Sequence, residues 1–492
     1  MPREVAAQQP TPSSDADAAA SPCMLGVPRD ALGHVLEYLD GDALLCTLEV
    51  TGAWQTATCE AAWRAAQERQ FPGALCPDLA WGPERYRLSR ARFAGVFVVE
   101  LGACGERAGI HWAAAPTRVR GGWTSARDAA RRAELAAVRA GAARPFERPA
   151  RPFEDPGVCA ARVADALARG CGIASLRDLS VLVLAPHFAS RWSAARVVAR
   201  LLDAGCRRVR VEHAAVCALV AATAEDRPED LPAAVVLDVG ARRATASPLR
   251  AGGRVPPDVV ESSANVHGHK YTTLRSPVAG DAVSDVLAPF CADADAAKRD
   301  HAYVRHASPD AVPPKAEELE FARVTIGGAT IDRQRFDAAE VLFAPMPAPV
   351  AAALPSIAPA VPASAPPNLP TLACRAAARA AAPGGGRVAT VVLAGGGAAI
   401  RGLGRRLRRE LRAEGAPAAP WASAVDVVPP DEASRVDLAW RGAARLARAA
   451  DRRWVSAEAF VDGKARVDEK TGLVVDNWDG LVEGIARELL HL

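Results

Sequence analysis

The chain has 11 cysteines but no C-x-x-C pair. An odd, scattered set of thiols argues against a disulfide framework or a zinc site and for a reducing compartment. No apolar run reaches the roughly 18 residues that a membrane-crossing helix needs. Net charge is also scant: 60 Lys+Arg stand against 57 Asp+Glu, giving +3 at pH 7. That balance argues for neither nucleic acid nor a membrane surface. The opening residues, MPREVAAQQPTPSSDADAAASP, lack the apolar core of a secretory signal, and 1–24 read as a disordered leader. Lysine is scarce beside arginine and alanine is abundant, which genome bias explains better than function does.

Half of the 492 residues are hydrophobic, enough for a sizeable core, and the length suggests about two to four domains. One local pattern occurs twice. In Ala233–Pro248 an apolar run, Val235–Leu237, ends on Asp238, followed by one residue and Gly240, and a second run returns. Val96–Gly109 repeats this with Glu100 and Gly102, 138 residues earlier. A strand that ends in a carboxylate and a tight glycine turn gathers backbone N–H groups and an acid at one spot. That suits a magnesium-bound phosphate. A single apolar-Asp-x-Gly unit arises by chance. Two copies and a third glycine-rich element, Val391–Gly397, suggest a duplicated, two-lobed α/β fold. The glycines Gly395 and Gly396 allow close backbone approach to a ligand, or make a tight turn that holds none.

Residues 25–72 read as a separate three-helix unit. Pro28 suits a helix start. Leu32, Val35, Leu36 and Leu39 fall on one helix face. Gly41 stops that helix, Asp42 caps a second with Leu44 and Leu45, and Thr51 caps a third with Trp54 and Trp63. A unit this small is marginal alone, and its apolar residues exceed one tiny core, so some should face a partner. The alternative is an ordinary N-terminal cap. The order V-P-x-D-x-L-x-x-V-L-x-x-L-D-x-x-x-L-L, then Val50, Trp54 and Trp63, resembles an F-box, with Val27 for the usual leucine. The resemblance implies docking to a Skp-family adaptor and a cullin ubiquitin ligase. The matching positions are Pro28, Leu32, Val35, Leu36, Leu39, Leu44, Val50, Trp54 and Trp63, some of which must instead hold the helices together.

Residues 73–92 form a linker whose Trp81 and Tyr86 suggest packing. The body, 93–465, alternates strands and helices: a strand at Leu179–Pro186, a helix at Trp192–Ala204, a strand at Val209–Val211, a helix at Ala214–Thr223, then the central hairpin. This order predicts a mixed α/β layer. An Arg-rich stretch, Ser125–Ala140, fits a solvated surface better than a nucleic-acid patch. Residues 346–370 are too proline-rich for regular helix and read as an insertion. Residues 466–492 extend beyond the body, with Trp478–Leu492 as an amphipathic helix.

The body resembles actin and actin-related proteins. Residues 182–222 look like the approach to actin's second phosphate loop, and the following hairpin looks like that loop. VTIGGATIDRQRFDAAEVLFAP matches the I-G…E-x-L-F-x-P pattern, VVLAGGGAAIRGLGRRLRREL the late glycine-rich strand and helix, and Trp440-Arg-Gly442 with Trp454–Gly463 the C-terminal end. An F-box joined to an actin-like body is similar to the F-box-bearing actin-related proteins of plants and green algae.

That resemblance implies an actin-like fold with an ATP or ADP site and magnesium, built on Glu100, Gly102, Arg107, Asp238, Gly240, Lys298, Gly395 and Gly396. Several positions depart from it. The first loop has Ala103 and Cys104 where the family has serine and glycine. The second has Ala241-Arg242 for Asp-Gly; Ala214 replaces the water-orienting glutamine and Thr245 a histidine. Alanine cannot position water. Arg299, Val436 and Ile400 replace three residues of the adenosine pocket. The expectation is a non-enzymatic adaptor or substrate receptor of a ubiquitin ligase, in the nucleus or cytoplasm, contacting neither nucleic acid nor membrane directly and recruiting an unknown protein. The alternatives are a nucleotide switch or ATPase, and a nuclear actin-related scaffold.

Overall fold

A computed structural model of the chain describes residues 36, 44, 60–70, 82–83, 85–86, 89–90, 95–102, 106–119, 155–173, 175–186, 191–223, 225, 228–253, 274–276, 278–304, 323–332, 334–343, 368–381, 388–412, 421–429, 431–448, 454–458, 465–467, 474–476, 482–483 and 485. Two compact units divide it, Met1–Ala94 and Gly95–Leu492.

In the first unit a helix, α1 (Glu60–Gln70), turns Ala62, Trp63 and Ala66 inward at helical spacing. Trp63 lies against the buried Tyr86, ring centroids 5.6 Å apart. Leu36 and Leu44 are helical and fully buried. Leu36, Leu44 and Trp63 are therefore core residues of the folded chain. The other docking candidates, Pro28, Leu32, Val35, Leu39, Val50 and Trp54, lie outside the described residues, as do the leader, the 125–140 stretch and most of the 346–370 insertion.

The second unit is built on two mixed sheets. The first holds β1 (Val96–Leu101), β2 (Glu106–Ile110), β3 (Thr117–Val119), β4 (Ser180–Ala185) and β5 (Arg208–His213). The second holds β6 (Ala234–Val239), β7 (Ala244–Leu249), β8 (Leu274–Ser276), β11 (Val388–Ala394) and β12 (Trp421–Val428); the small hairpin of β9 (Val324–Ile326) and β10 (Ala329–Ile331) stands apart. β3-β2-β1 and β8-β7-β6 are antiparallel meanders. β4 and β5, and likewise β11 and β12, continue each sheet in parallel. The strand order is thus the same twice, as the repeated hairpin pattern predicted. The first sheet gains β13 (Val455–Ser456), antiparallel on the edge of β5. A hairpin of β14 (Ala465–Val467) and β15 (Val474–Asp476) follows.

The helices of this unit are α2 (Pro156–Cys171), α3 (Arg191–Asp203), α4 (Ala214–Thr223), α5 (Gly280–Leu287), α6 (Ala294–His301), α7 (Gln334–Glu340), α8 (Leu369–Ala380), α9 (Leu403–Arg412), α10 (Glu432–Val436) and α11 (Leu438–Leu446). Local chemistry sets their ends. Asp155 accepts from the Val158 N–H at 3.0 Å with Pro156 in the first turn of α2, and Gly172 at φ 69° closes it.

Burial on both faces explains the continuous apolar runs of the central strands. Val235, Leu237 and Val239 pack into a core with α5–α9. Their neighbours Ala234 and Val236 face a second core that also takes Val96, Val98, Leu182 and Leu184 of the first sheet, with α4 and α11. Those two helices cross at Gly442, where any Cβ would overlap the Cys217 carbonyl. Trp440 fixes the crossing from the other side, its Nε1 donating to the Val98 carbonyl at 3.1 Å.

Candidate nucleotide cleft

The first hairpin places an acid opposite a base. Glu100 and Arg107 are cross-strand partners, and Arg107 in turn faces Arg118 on β3. Arg107 Nη1 donates to Glu100 Oε1 at 2.9 Å, and its Nε lies 2.9 Å from Asp437 Oδ1 at the start of α11. Arg118 reaches the same Asp437 oxygen at 3.6 Å. A row of side chains across three strands thus closes on one carboxylate from the far end of the sequence.

The second hairpin contributes Asp238. Burial pushes the Glu100 carboxyl above the usual value; Arg107 pulls it down, and the charges of Asp238 and Asp437 push it up again. Glu100, foremost, holds the Arg107 guanidinium above its usual range, with Asp437 and Asp238 adding to the effect. These couplings place the two hairpin acids within electrostatic reach of each other and of Asp437.

The glycine-rich turn follows β11, whose Ala394 is the register partner of Asp238. Gly395 has φ +91°, and a Cβ there would overlap Asp238 Oδ1 and lie 2.7 Å from the Val239 carbonyl; at Gly397 a Cβ would come within 2.8 Å of that carbonyl. These two glycines are required by backbone packed on backbone. Gly396 alone faces open space. Behind the turn the buried Arg435 donates to the Ala398 and Pro429 carbonyls, both at 3.0 Å.

The turn after β6 is likewise occupied. Gly240 N–H donates to the Arg243 carbonyl, and the Gly280 and Asp281 N–H groups donate to the carbonyls of Gly240 and Ala241. Arg242 lies 3.7 Å from Asp281. Gly102 offers its carbonyl to Arg162 at 2.9 Å, while Arg162 also grips the buried Glu106. Ala103 and Cys104 fall outside the described residues. Lys298 is paired on its own helix with Asp295 at 3.0 Å. Ala214 opens α4, Ile400 is buried, and Thr245 is buried with its hydroxyl making no hydrogen bond.

The structure therefore gathers Glu100, Arg107, Asp238 and Gly395 at one place and ties Lys298 to a local acid. Sequence reasoning missed Asp437, Arg118, Asp281 and Arg435. The sole sequence signal for Asp437 was a lone acid in the V-D-L-A-W run ahead of Trp440.

Residues 296–471 match the family model of actin. No curated protein matches the chain. The match and the two mixed sheets make the body an actin-like α/β fold. It spans Lys298, Gly395–Gly397 and Asp437 but neither hairpin.

Such folds hold a magnesium nucleotide. Glu100 Oε2, buried and without a hydrogen bond, fits an ion's water shell. The residues that would face the phosphates do not fit: Arg107 is held between two carboxylates, and Arg242 lies by Asp281. Among the described residues no three of His, Cys, Asp and Glu gather to hold a metal directly.

Proposed function

We propose that this is a non-catalytic interaction protein: an adaptor or substrate receptor of a Skp-cullin ubiquitin ligase that docks through residues 25–72 and recruits through an actin-like body. The body's cleft is held by its own side chains. The observation that carries this reading is Arg107 between Glu100 and Asp437, which satisfies internally the charge that a phosphate would otherwise meet. Ala214 supports it, because an alanine cannot orient an attacking water. The docking half rests on the sequence order from Pro28 to Trp63. The protein acts in the nucleus or cytoplasm, and among the described residues no helix is long and apolar enough to cross a membrane.

Co-expression with a Skp-family adaptor, followed by gel filtration, tests the docking half. A Leu32→Ala, Trp54→Ala variant serves as control, since Leu36→Asp would place a charge in a fully buried position. A stoichiometric complex that the control loses is expected. A well-folded monomer in both cases would contradict it.

A second reading, a nucleotide switch, is favoured by the orphan Glu100 Oε2 and by the open face of Gly396. Titration with Mg-ATP separates the two.

A further inference from the structure

Away from the cleft, positive charge gathers at one end of the first sheet. Ser456, Arg208, Ser180 and Val96 are register partners across β13, β5, β4 and β1. At roughly 4.8 Å per strand, the Arg208 and Val96 positions stand about 10 Å apart along this row. His111, just past β2, closes the row: its Nδ1 accepts the Val96 N–H at 3.1 Å. The Arg208 Nε donates to the Ser180 hydroxyl at 2.9 Å, and Arg207 donates to the same oxygen at 2.9 Å. The Arg208 guanidinium lies over the Trp454 ring, 4.5 Å from its centroid. Stacking and the Nε bond fix its plane, while its Nη1 and Nη2 make no hydrogen bond and touch solvent.

The other end of the row carries a second cation and an open aromatic. Arg448, exposed just past α11, donates to the His111 carbonyl at 3.3 Å. The ring of Trp112, 38 % exposed, meets the His111 ring edge-on at 4.7 Å. Ala113, Ala447 and Trp454, next to these residues in the chain or in contact with them, pack partly buried against the core. Among the described residues no carboxylate ion-pairs with Arg208 or Arg448. Burial lowers the Arg208 guanidinium from its usual range, and the charge of Arg207 lowers it further. Burial also lowers the His111 imidazole, and the charges of Arg448 and Arg208 act in the same direction. Both guanidiniums are thus within electrostatic reach of one imidazole.

We propose that this end of the first sheet docks an acidic segment of a partner protein, whose carboxylates meet Arg208 and Arg448 and whose apolar side chain meets Trp112. A carboxylate accepts from two guanidinium donors at once, and the Nη pair of Arg208 offers them. The row is as long as about three residues of extended chain, so one short segment spans it. Two cations beside aromatic and apolar surface favour such a segment over nucleic acid, which calls for a longer run of phosphate contacts. The proposal names the recruiting face of the body and in that respect rests on the function proposed above. Adaptor docking is read separately, so either can fail while the other stands.

The full chain, titrated with a fluorescein-labelled Asp/Glu-rich peptide that carries a leucine and followed by fluorescence anisotropy, tests this. Saturable binding that weakens as salt rises is expected. Arg208→Gln and Arg448→Gln should each weaken it roughly three- to ten-fold. Trp112→Ala should weaken it by a similar factor and leave its salt dependence in place. Arg409→Gln, which changes an exposed arginine on α9, should leave binding as it was. Arg448 and Trp112 are exposed, so their variants carry the test if Arg208→Gln does not fold. No saturable binding to the wild type would overturn the proposal. So would binding that Arg409→Gln weakens as much as Arg448→Gln does, since that is attraction to net charge alone. A single-stranded oligonucleotide that binds more tightly than the peptide, at the same residues, would overturn it in favour of nucleic acid.

Discussion

The two hairpins share a backbone and differ in what fills their turns. β1–β2 and β6–β7 have the same place in sheets of the same order. At the first, charge fills the cleft: Glu100, Arg107 and Arg118 lie in a row and end on Asp437. At the second, packing does it: Gly395 and Gly397 lie against Asp238 and Val239, and Arg242 turns to Asp281. The strand order is held by the alternation of apolar side chains into two cores. Turn chemistry can therefore change while the fold persists, and the two turns have changed by different routes.

The largest way to break this comparison is at the foot of the first hairpin. Arg162 and Glu106 are both buried and 2.6 Å apart. Arg162→Ala removes the guanidinium that donates through two nitrogens to the buried Glu106 carboxylate and is expected to cost about 3–5 kcal/mol in denaturant unfolding. Next comes the glycine pair. Gly395→Ala must place a Cβ on Asp238 at a left-handed φ and should cost about 2–4 kcal/mol. Gly396→Ala, facing open space, should stay within about 0.5 kcal/mol. Equal effects from the two would mean that packing does not fill the second turn.

A smaller effect reads the charged turn directly. The Glu100 carboxyl is raised above its ordinary value of 4.5. Above the raised value the folded chain carries the full penalty of a buried carboxylate. As pH falls through that value toward 4.5, the folded state takes up a proton that the unfolded state does not, and it gains stability. Wild type should therefore gain on Glu100→Gln as pH is lowered across that window. A constant difference between them would remove the claim of a desolvated acid. Smallest in energy, but easily read, is thiol reactivity. Burial pushes Cys159 and Cys206 to about 12, and Cys171 to about 11. Alkylation of the buried Cys159 and Cys206 at neutral pH should require unfolding, whereas the partly buried Cys171 should react slowly in the folded chain.

Much of the fold was legible because it rests on local rules. The strand-acid-x-glycine pattern marked both hairpins, and α4 falls at Ala214–Thr223, as the apolar run implied. The cleft was legible only in part. Glu100 and Arg107 stand on one hairpin, but Asp437 joins them from 330 residues away (437 against 107) through the tertiary fold. Gly395 and Gly396 are adjacent and identical in sequence, yet one is packed and the other open, which depends on where Val239 lies. Arg208 opens β5 and Arg448 follows α11, and nothing in either segment announces the other. Leu36, Leu44 and Trp63 suited both a docking face and a core, and burial places them in a core.

The account stands or falls on the self-paired cleft, and calorimetric titration of the full chain with Mg-ATP tests it most directly. The paired arginines and packed glycines predict no saturable heat and no accompanying thermal shift. Saturable one-to-one binding that Asp238→Asn abolishes would contradict it and would make the nucleotide switch the better reading.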